Sequence, residues 1–262
     1  MPKDHTYRSL TPNADGLYTY SEDDLRVWGT LFSRQVVALR RVMTPDYLHG
    51  IQALGLSADA VPQVKYIDAR LNELTRAGVE GVPAIIPPSQ FYALLAQRRF
   101  PVATFLRREE EIDYIEEPDL FHEVFGHCPL LTQSSYADFI ERFGQTALSL
   151  GKGYSWHLFR LFWFTIEFGM IETSDGLRGY GAGIASSPAE AANAMGDSIK
   201  EPFDLLTVFR TPYRIDIVQP IYFVIQSFDQ LSAALDVDIK ALIDEAKVLG
   251  DLPPLFEPRE AG

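Results

Sequence analysis

The chain predicts a mostly α fold of the α+β class with a few short antiparallel strands. Three observations predict it. Capped stretches with apolar residues at helical spacing recur along most of the 262 residues. The segments that read as strands are short and bounded by Gly and Pro. No internal repeat, low-complexity block or obvious linker divides the chain, whose length fits one large domain or two small ones.

Ser21, followed by Glu22, Asp23 and Asp24, caps a first helix with acids in its opening turn. Leu25, Trp28, Leu31, Phe32, Val36 and Leu39 form its apolar stripe. Thr44 and Pro45 open a second helix that stops near Gly55. Pro62 to Ala77 is a third, closed by Gly78. Val79 to Ile86 reads as a strand, Ser89 to about Arg98 as a helix and Phe100 to Leu106 as a strand. Helices follow from about Pro118 to His127, from Ser135 to Leu150 and from Ser155 to Met170. Ser174, Asp175 and Gly176 turn between two short strands. Ser187 and Pro188 open another helix, and Phe203 to Phe209 is a short one. Tyr213 to Val218 and Ile221 to Val224 read as strands. A last helix, Asp236 to Leu249, precedes a Pro-rich polar tail.

Composition narrows the function. Asp and Glu number 36 against 23 Lys and Arg, a net charge of -13. That argues against nucleic acid or an anionic membrane as partner, because both need clustered positive charge. One cysteine, Cys128, rules out an intrachain disulfide and suits a reducing cytoplasm. Met1 to His5 lacks the apolar core of a signal peptide. No apolar run reaches the roughly 20 residues that span a bilayer.

Chemistry concentrates in two stretches. His122 and His127 lie five residues apart in an otherwise apolar run. Glu167 stands alone among Phe162, Trp163, Phe164 and Phe168, where an ionised carboxylate is costly unless compensated. Two imidazoles and a carboxylate are the donor set of a facial non-haem iron(II) site. The spacing departs from the His-Glu-x-x-His of zinc proteases, whose histidines share one helical face. Five residues apart on a regular helix, His122 and His127 would diverge by about 140°. Gly126 and Pro129 let the helix distort or end there. Plainer readings stand beside this one: structural histidines, an ion pair between Arg160 and Glu167 seven residues apart, and aromatics that are simply core. Cys128 would bring a softer, thiolate chemistry.

Pro118-Asp119-x-x-His122-Glu123-x-x-Gly126-His127-x-Pro129-Leu130, then Trp163 to Gly169, then Tyr180 to Ser187, resembles the pterin-dependent aromatic amino acid hydroxylases. The three blocks have the family's order and spacing. The likeness runs from about Phe91 to Phe228, and within the family it points to the short bacterial phenylalanine 4-hydroxylases. The resemblance implies the single catalytic domain of that family over 1–262, without a regulatory domain or tetramerisation helix. It implies a monooxygenase that converts L-phenylalanine to L-tyrosine with O₂, Fe(II) and a tetrahydropterin (tetrahydrobiopterin or a bacterial analogue).

Residue by residue, it implies that His122, His127 and Glu167 hold the iron. Ser186 resembles a residue that bonds a ligand histidine and, with Gly183, belongs to the substrate site. Ser187 reads as a helix cap. Arg107 matches the clamp on the substrate carboxylate, where a guanidinium fork suits two oxygens; its plainer reading is a solvated charge beside Arg108 and Glu109 to Glu111. Trp163, helped by Pro118, resembles the wall of the amino acid pocket, with Tyr114 at its mouth. Phe91 matches the aromatic that stacks on the pterin, and Glu123 an acid that hydrogen-bonds it. Phe162 stands where a Tyr often precedes the Trp, and Ile115 replaces a hydroxyl-bearing residue, which weakens transfer of substrate detail. Trp163 favours phenylalanine over tryptophan. Tryptophan hydroxylation is the alternative activity, and a non-catalytic aromatic-ligand binding protein the alternative of another class. The reading expects a cytoplasmic monomer whose partners are small molecules.

Overall fold

The computed structural model describes residues 7, 9–83, 85–115 and 117–257. Met1 to His5, where the sequence offers no signal-peptide core, lie outside the described residues.

The first helix, α1 (Glu22–Val42), starts as its cap predicts. Ser21 accepts from the Asp24 amide while the Asp24 carboxylate accepts from the Ser21 amide. Its apolar stripe buries Trp28, Leu31, Phe32 and Leu39. Thr44 caps α2 (Pro45–Ala53), with Pro45 in the first turn. The third helix, α3 (Val64–Thr75), ends before the expected Ala77 because Arg76 turns left-handed at φ 62°.

Strand β1 (Gly78–Val82) pairs in parallel with β2 (Arg99–Ala103). Helix α4 (Pro88–Leu95) joins them, and parallel neighbours need such a crossover. Helices α5 (Ser134–Leu150) and α6 (Ser155–Phe162) follow. Strands β3 (Met170–Thr173) and β4 (Gly176–Gly179) form the expected antiparallel hairpin. Next come α7 (Ala182–Ser186), α8 (Pro188–Met195), β5 (Ile199–Pro202) and α9 (Leu205–Arg210). Then come β6 (Ile221–Ile225), α10 (Phe228–Ala234) and α11 (Ile239–Leu249). Ser187 accepts from the Glu190 amide and so caps α8, as read.

The α+β class stands, and strand direction is where the structure departs from expectation. The larger sheet has the order β4-β3-β6-β5, and β6 runs parallel to both β3 and β5. Among the described residues only the hairpin is antiparallel, because helices separate the other paired strands in sequence. Tyr213 to Val218 is not a strand. The Gln219 side chain, through Nε2, donates to the carbonyls of Arg214 and Ile217, doing what a neighbouring strand would otherwise do. Among the described residues no helix is long and apolar enough to cross a membrane.

The core is aromatic. Trp28 meets Phe121 edge-on at 5.4 Å, and Phe121 stacks on Phe125 at 4.6 Å. Burying each such ring contributes about 1.5–3 kcal/mol. These contacts pack α1 against the segment that carries the two histidines.

Candidate metal and substrate site

Two turns of π-helix build the site. Phe121–His127 is one and Trp163–Glu167, continuing directly from α6, is the other. A π-helix bonds i to i+5, so residues five apart come together. His122 and His127, which a regular helix would splay, have their Nε2 atoms 3.2 Å apart. Their rings stand nearly perpendicular at 86°. Gly126 permits this, since a Cβ there would meet Ala182 of α7 at 3.0 Å.

The second π-turn removes Glu167 from the phase it would share with Arg160. The expected alternative, an Arg160–Glu167 pair, does not form. Arg160 bonds both Asp251 oxygens at 2.7 Å and the Phe209 carbonyl. Glu167 turns to the histidines instead. Its carboxylate lies 3.1 Å from His127 Nε2 and 3.5 Å from His122 Nε2.

Ser186 fixes the first imidazole. Its hydroxyl donates to the Ala182 carbonyl at 2.9 Å, so its oxygen accepts from His122 Nδ1 at 2.8 Å. The proton therefore sits on Nδ1, and the Nε2 lone pair faces His127 and Glu167. His127 Nδ1 is buried without a hydrogen-bond partner among the described residues, and its ring stacks on Phe100 at 4.3 Å. Two nitrogens and a carboxylate converging at such distances repel unless a cation or a proton joins them. A metal about 2.1 Å from each of two nitrogens at right angles would leave them about 3 Å apart, so the donor set fits a divalent ion.

Electrostatics separates the two nearby acids. Burial alone would raise the Glu167 carboxyl, but the His127 and His122 charges hold it well below the ordinary range. Burial pushes Glu123 up to about 8, against the pull of His122. Glu123 also stands farther out, 3.8 Å from His127 Nε2. Burial opposes the charge on His122, yet Glu167 outweighs it and raises that imidazole to about 9. Cys128 is buried, its thiol pushed well up by burial and directed at the Glu123 carbonyl, which argues against a thiolate ligand.

Arg107 is buried, 6% exposed, which overturns the solvated-charge alternative. Its Nε and Nη2 each bond Asp119 at 2.9 Å, and its amide bonds the same carboxylate at 3.0 Å. Asp119, fully buried, also accepts from the His122 amide at 3.0 Å. Burial would raise its carboxyl, but the Arg107 charge and these bonds hold it below the ordinary value. One side of the guanidinium, Nε and Nη2, is thus committed within the protein.

The other candidates divide. Phe91 lies edge-on to Phe162 at 5.2 Å, one ring removed from His127. Trp163 stacks on Tyr213 and tilts against Phe168, both at 4.7 Å, and its Nε1 donates to Gln219 Oε1 at 2.9 Å. Gly183 packs on Phe168, whose ring an added Cβ would meet at 2.5 Å. Pro118 is half-buried, next to Asp119. Tyr114 is 61% exposed and is not gathered into the buried cluster. Sequence reasoning missed Asp119 as the partner of Arg107 and Gln219 as the partner of the Trp163 indole. Asp119 alone carried a usable signal, as a lone acid heading an apolar run.

A family model for biopterin-dependent aromatic amino acid hydroxylases matches residues 7–245. A phenylalanine-4-hydroxylase from Pseudomonas aeruginosa is 44% identical over 97% of this chain and 98% of its own length. The structure of phenylalanine hydroxylase from Legionella pneumophila superposes with a TM-score of 0.93 at 43% identity, covering 95% of this chain and 100% of that one. That of the Chromobacterium violaceum phenylalanine hydroxylase with bound iron(III) and 7,8-dihydrobiopterin superposes at 0.86 with 36% identity, covering 96% and 94%. On this match over nearly its whole length, the chain belongs to the biopterin-dependent aromatic amino acid hydroxylase family.

Proposed function

We propose that this chain is a non-haem iron(II), tetrahydropterin-dependent phenylalanine 4-monooxygenase that converts L-phenylalanine to L-tyrosine with O₂. The observation that carries the proposal is the convergence of His122 Nε2, His127 Nε2 and the Glu167 carboxylate within 3.1–3.5 Å of one another. Near-full-length relatives named for phenylalanine hydroxylation support the substrate. When bound, Fe(II) and a tetrahydropterin supply the activation of O₂, one oxygen atom going to the substrate ring and the other to the pterin.

The chain's residues hold, orient and enclose. His122, His127 and Glu167 would hold the metal, and such a three-ligand set would leave coordination positions for O₂ and substrate. Ser186 holds the proton on His122 Nδ1, keeping Nε2 free to ligate. Arg107, braced by Asp119, presents its Nη1 end to the amino acid carboxylate. Trp163 and Pro118 form the wall for the phenyl ring, Gly183 and Ser186 belong to the same substrate site, and Tyr114 stands at the mouth. Phe91 would stack on the pterin, and Glu123 would hydrogen-bond it. The apolar surroundings exclude water, which protects the oxidant from unproductive decay. The same reading has a single catalytic domain acting as a cytoplasmic monomer, which sedimentation at working concentration tests.

The deciding experiment gives purified protein Fe(II), tetrahydropterin and each aromatic amino acid in turn. Tyrosine from phenylalanine is the expected product. Hydroxytryptophan as the main product would move the substrate to tryptophan. Iron and ligand binding without turnover would make the chain a binding protein.

A further inference from the structure

The interior holds one carboxylate that the proposed chemistry does not use. Glu190, on α8, is 6% exposed. It accepts from the Gln219 amide at 3.0 Å and from the Tyr222 hydroxyl. Asn193, one turn along the same helix, donates to the Gln219 carbonyl at 2.8 Å and to the Tyr222 oxygen at 2.7 Å. Residue 219 is therefore pinned through its main chain on both sides.

Its side chain is just as constrained. Gln219 is 1% exposed, and its Nε2 donates to the carbonyls of Arg214 at 3.0 Å and Ile217 at 2.9 Å. A carbonyl can only accept, so both amide hydrogens are committed there and the amide cannot flip. That leaves Oε1 facing the indole of Trp163, whose N–H can only donate. The same side chain bonds the carbonyl of Arg214, the chain neighbour of Tyr213, whose ring stacks on that indole. Stacking alone leaves an indole free to turn within its own plane. The bond to Gln219 removes that freedom.

We infer that Gln219, locked from behind by Glu190, is a positioning residue that sets the angle of the Trp163 indole and thereby the shape and selectivity of the aromatic amino acid pocket. The inference rests on the proposed role of Trp163 as the pocket wall. Gln219 acts through the indole and touches no reacting atom. A fully satisfied buried network of this kind rigidifies its members, so its loss should loosen the wall rather than empty the metal site.

The test is a double-mutant cycle with a spectroscopic arm. Gln219→Met keeps length and apolar bulk but cannot accept from the indole. In the iron-loaded enzyme it should raise the Kd and KM for phenylalanine several-fold. It should lower the phenylalanine-to-tryptophan ratio of kcat/KM in the direction of Trp163→Phe, and leave iron content and the KM for the pterin unchanged. In the Trp163→Phe background the same substitution should have little further effect on that ratio, because no indole N–H remains to be held. Ultraviolet resonance Raman, with the Trp163→Phe spectrum subtracted, should report a weakened indole hydrogen bond. Glu190→Gln should shift the same readouts the same way by less, and it serves as the second variant should Gln219→Met fold poorly. Equal effects of Gln219→Met in both backgrounds, or an unchanged indole band with unchanged phenylalanine affinity, would overturn the inference. Absence of phenylalanine hydroxylation in the wild type would instead defeat the functional reading, while the Raman arm would still decide the geometry.

Discussion

Replacing Asp119 by Asn tests how the site holds its arginine. The carboxylate accepts four N–H bonds: Oδ2 from the Arg107 amide and Nε, and Oδ1 from Arg107 Nη2 and the His122 amide. An asparagine of the same shape keeps one oxygen. Whichever way its amide points, two of the four donors face an NH₂ group. Two lost bonds to a charged acceptor, at about 1.5–3 kcal/mol each, amount to about 3–6 kcal/mol. A buried ion pair stripped of one partner gives about 3–5 kcal/mol by an independent route. Both are a large share of the 5–15 kcal/mol typical of a folded domain. Urea unfolding of the metal-free proteins, extrapolated to water at an unchanged slope, reads the difference directly. The KM for phenylalanine should rise with it, because Arg107 loses the brace that aims it. A stability difference under about 1 kcal/mol would mean that water already reaches the pair, and the argument for an aimed guanidinium would fail.

Four further outcomes follow from the same geometry. Arg107→Lys should raise the KM for the amino acid far more than that for the pterin, because a point charge cannot serve Asp119 and a ligand carboxylate together; unchanged constants would remove Arg107 from the pocket. Glu167→Ala should abolish hydroxylation and deplete bound iron, and near-normal metal content would sink the ligand assignment. Ser186→Ala should weaken iron affinity by about 10–100-fold while the fold stays intact, read by competition with a chelator. Burial pushes Glu190 up to about 7, against the pull of Tyr222 and the Gln219 amide, so the folded state binds more protons than the unfolded state between about pH 4.5 and 7. Stability should therefore fall by up to about 3 kcal/mol as pH rises through that window. Glu190→Gln should lack that share of the slope in urea titrations at pH 5 and 8, and parallel curves would refute the assignment.

What could be read from the chain was local. Ser21, Thr44 and Ser187 cap the helices they were expected to cap, because a cap depends on a few adjacent residues. The Ser174-Asp175-Gly176 turn joins β3 and β4 for the same reason. The segment from Ser227 into α10 was missed although it carries a cap of this kind, with Ser227 accepting from the Gln230 amide. Strand direction was not legible, since β6 pairs with β3 and β5 across intervening helices that no local pattern relates to the sheet. Nor was the Trp163–Gln219 bond, whose partners stand 56 residues apart. Asp119 was in view as part of a motif, but its burial against Arg107 depends on a loop return that no periodicity encodes.

The least legible feature is also the one that makes the site: the widened turn, used twice. Apolar periodicity over Phe121 to His127 is compatible with a regular helix, and such a helix would splay the histidines. One extra residue per bonded turn brings His122 to His127, and the same device carries Glu167 off the Arg160 face and towards them. Such turns are rare in isolation, so packing has to hold them. Helix α7 supplies that packing for both. Ala182 closes on Gly126 at the first π-turn, and Gly183 closes on Phe168 at the end of the second. A side chain larger than Ala at 182, or larger than Gly at 126 or 183, would force these segments apart. The run Ala182-Gly183-Ile184-Ala185-Ser186 is small-residue-rich because it is a wedge between two π-turns, and it ends on the serine that orients His122. Ligand spacing, small-residue block and serine are thus one mechanical unit, which is why the three sequence blocks must occur together for the chemistry to be built.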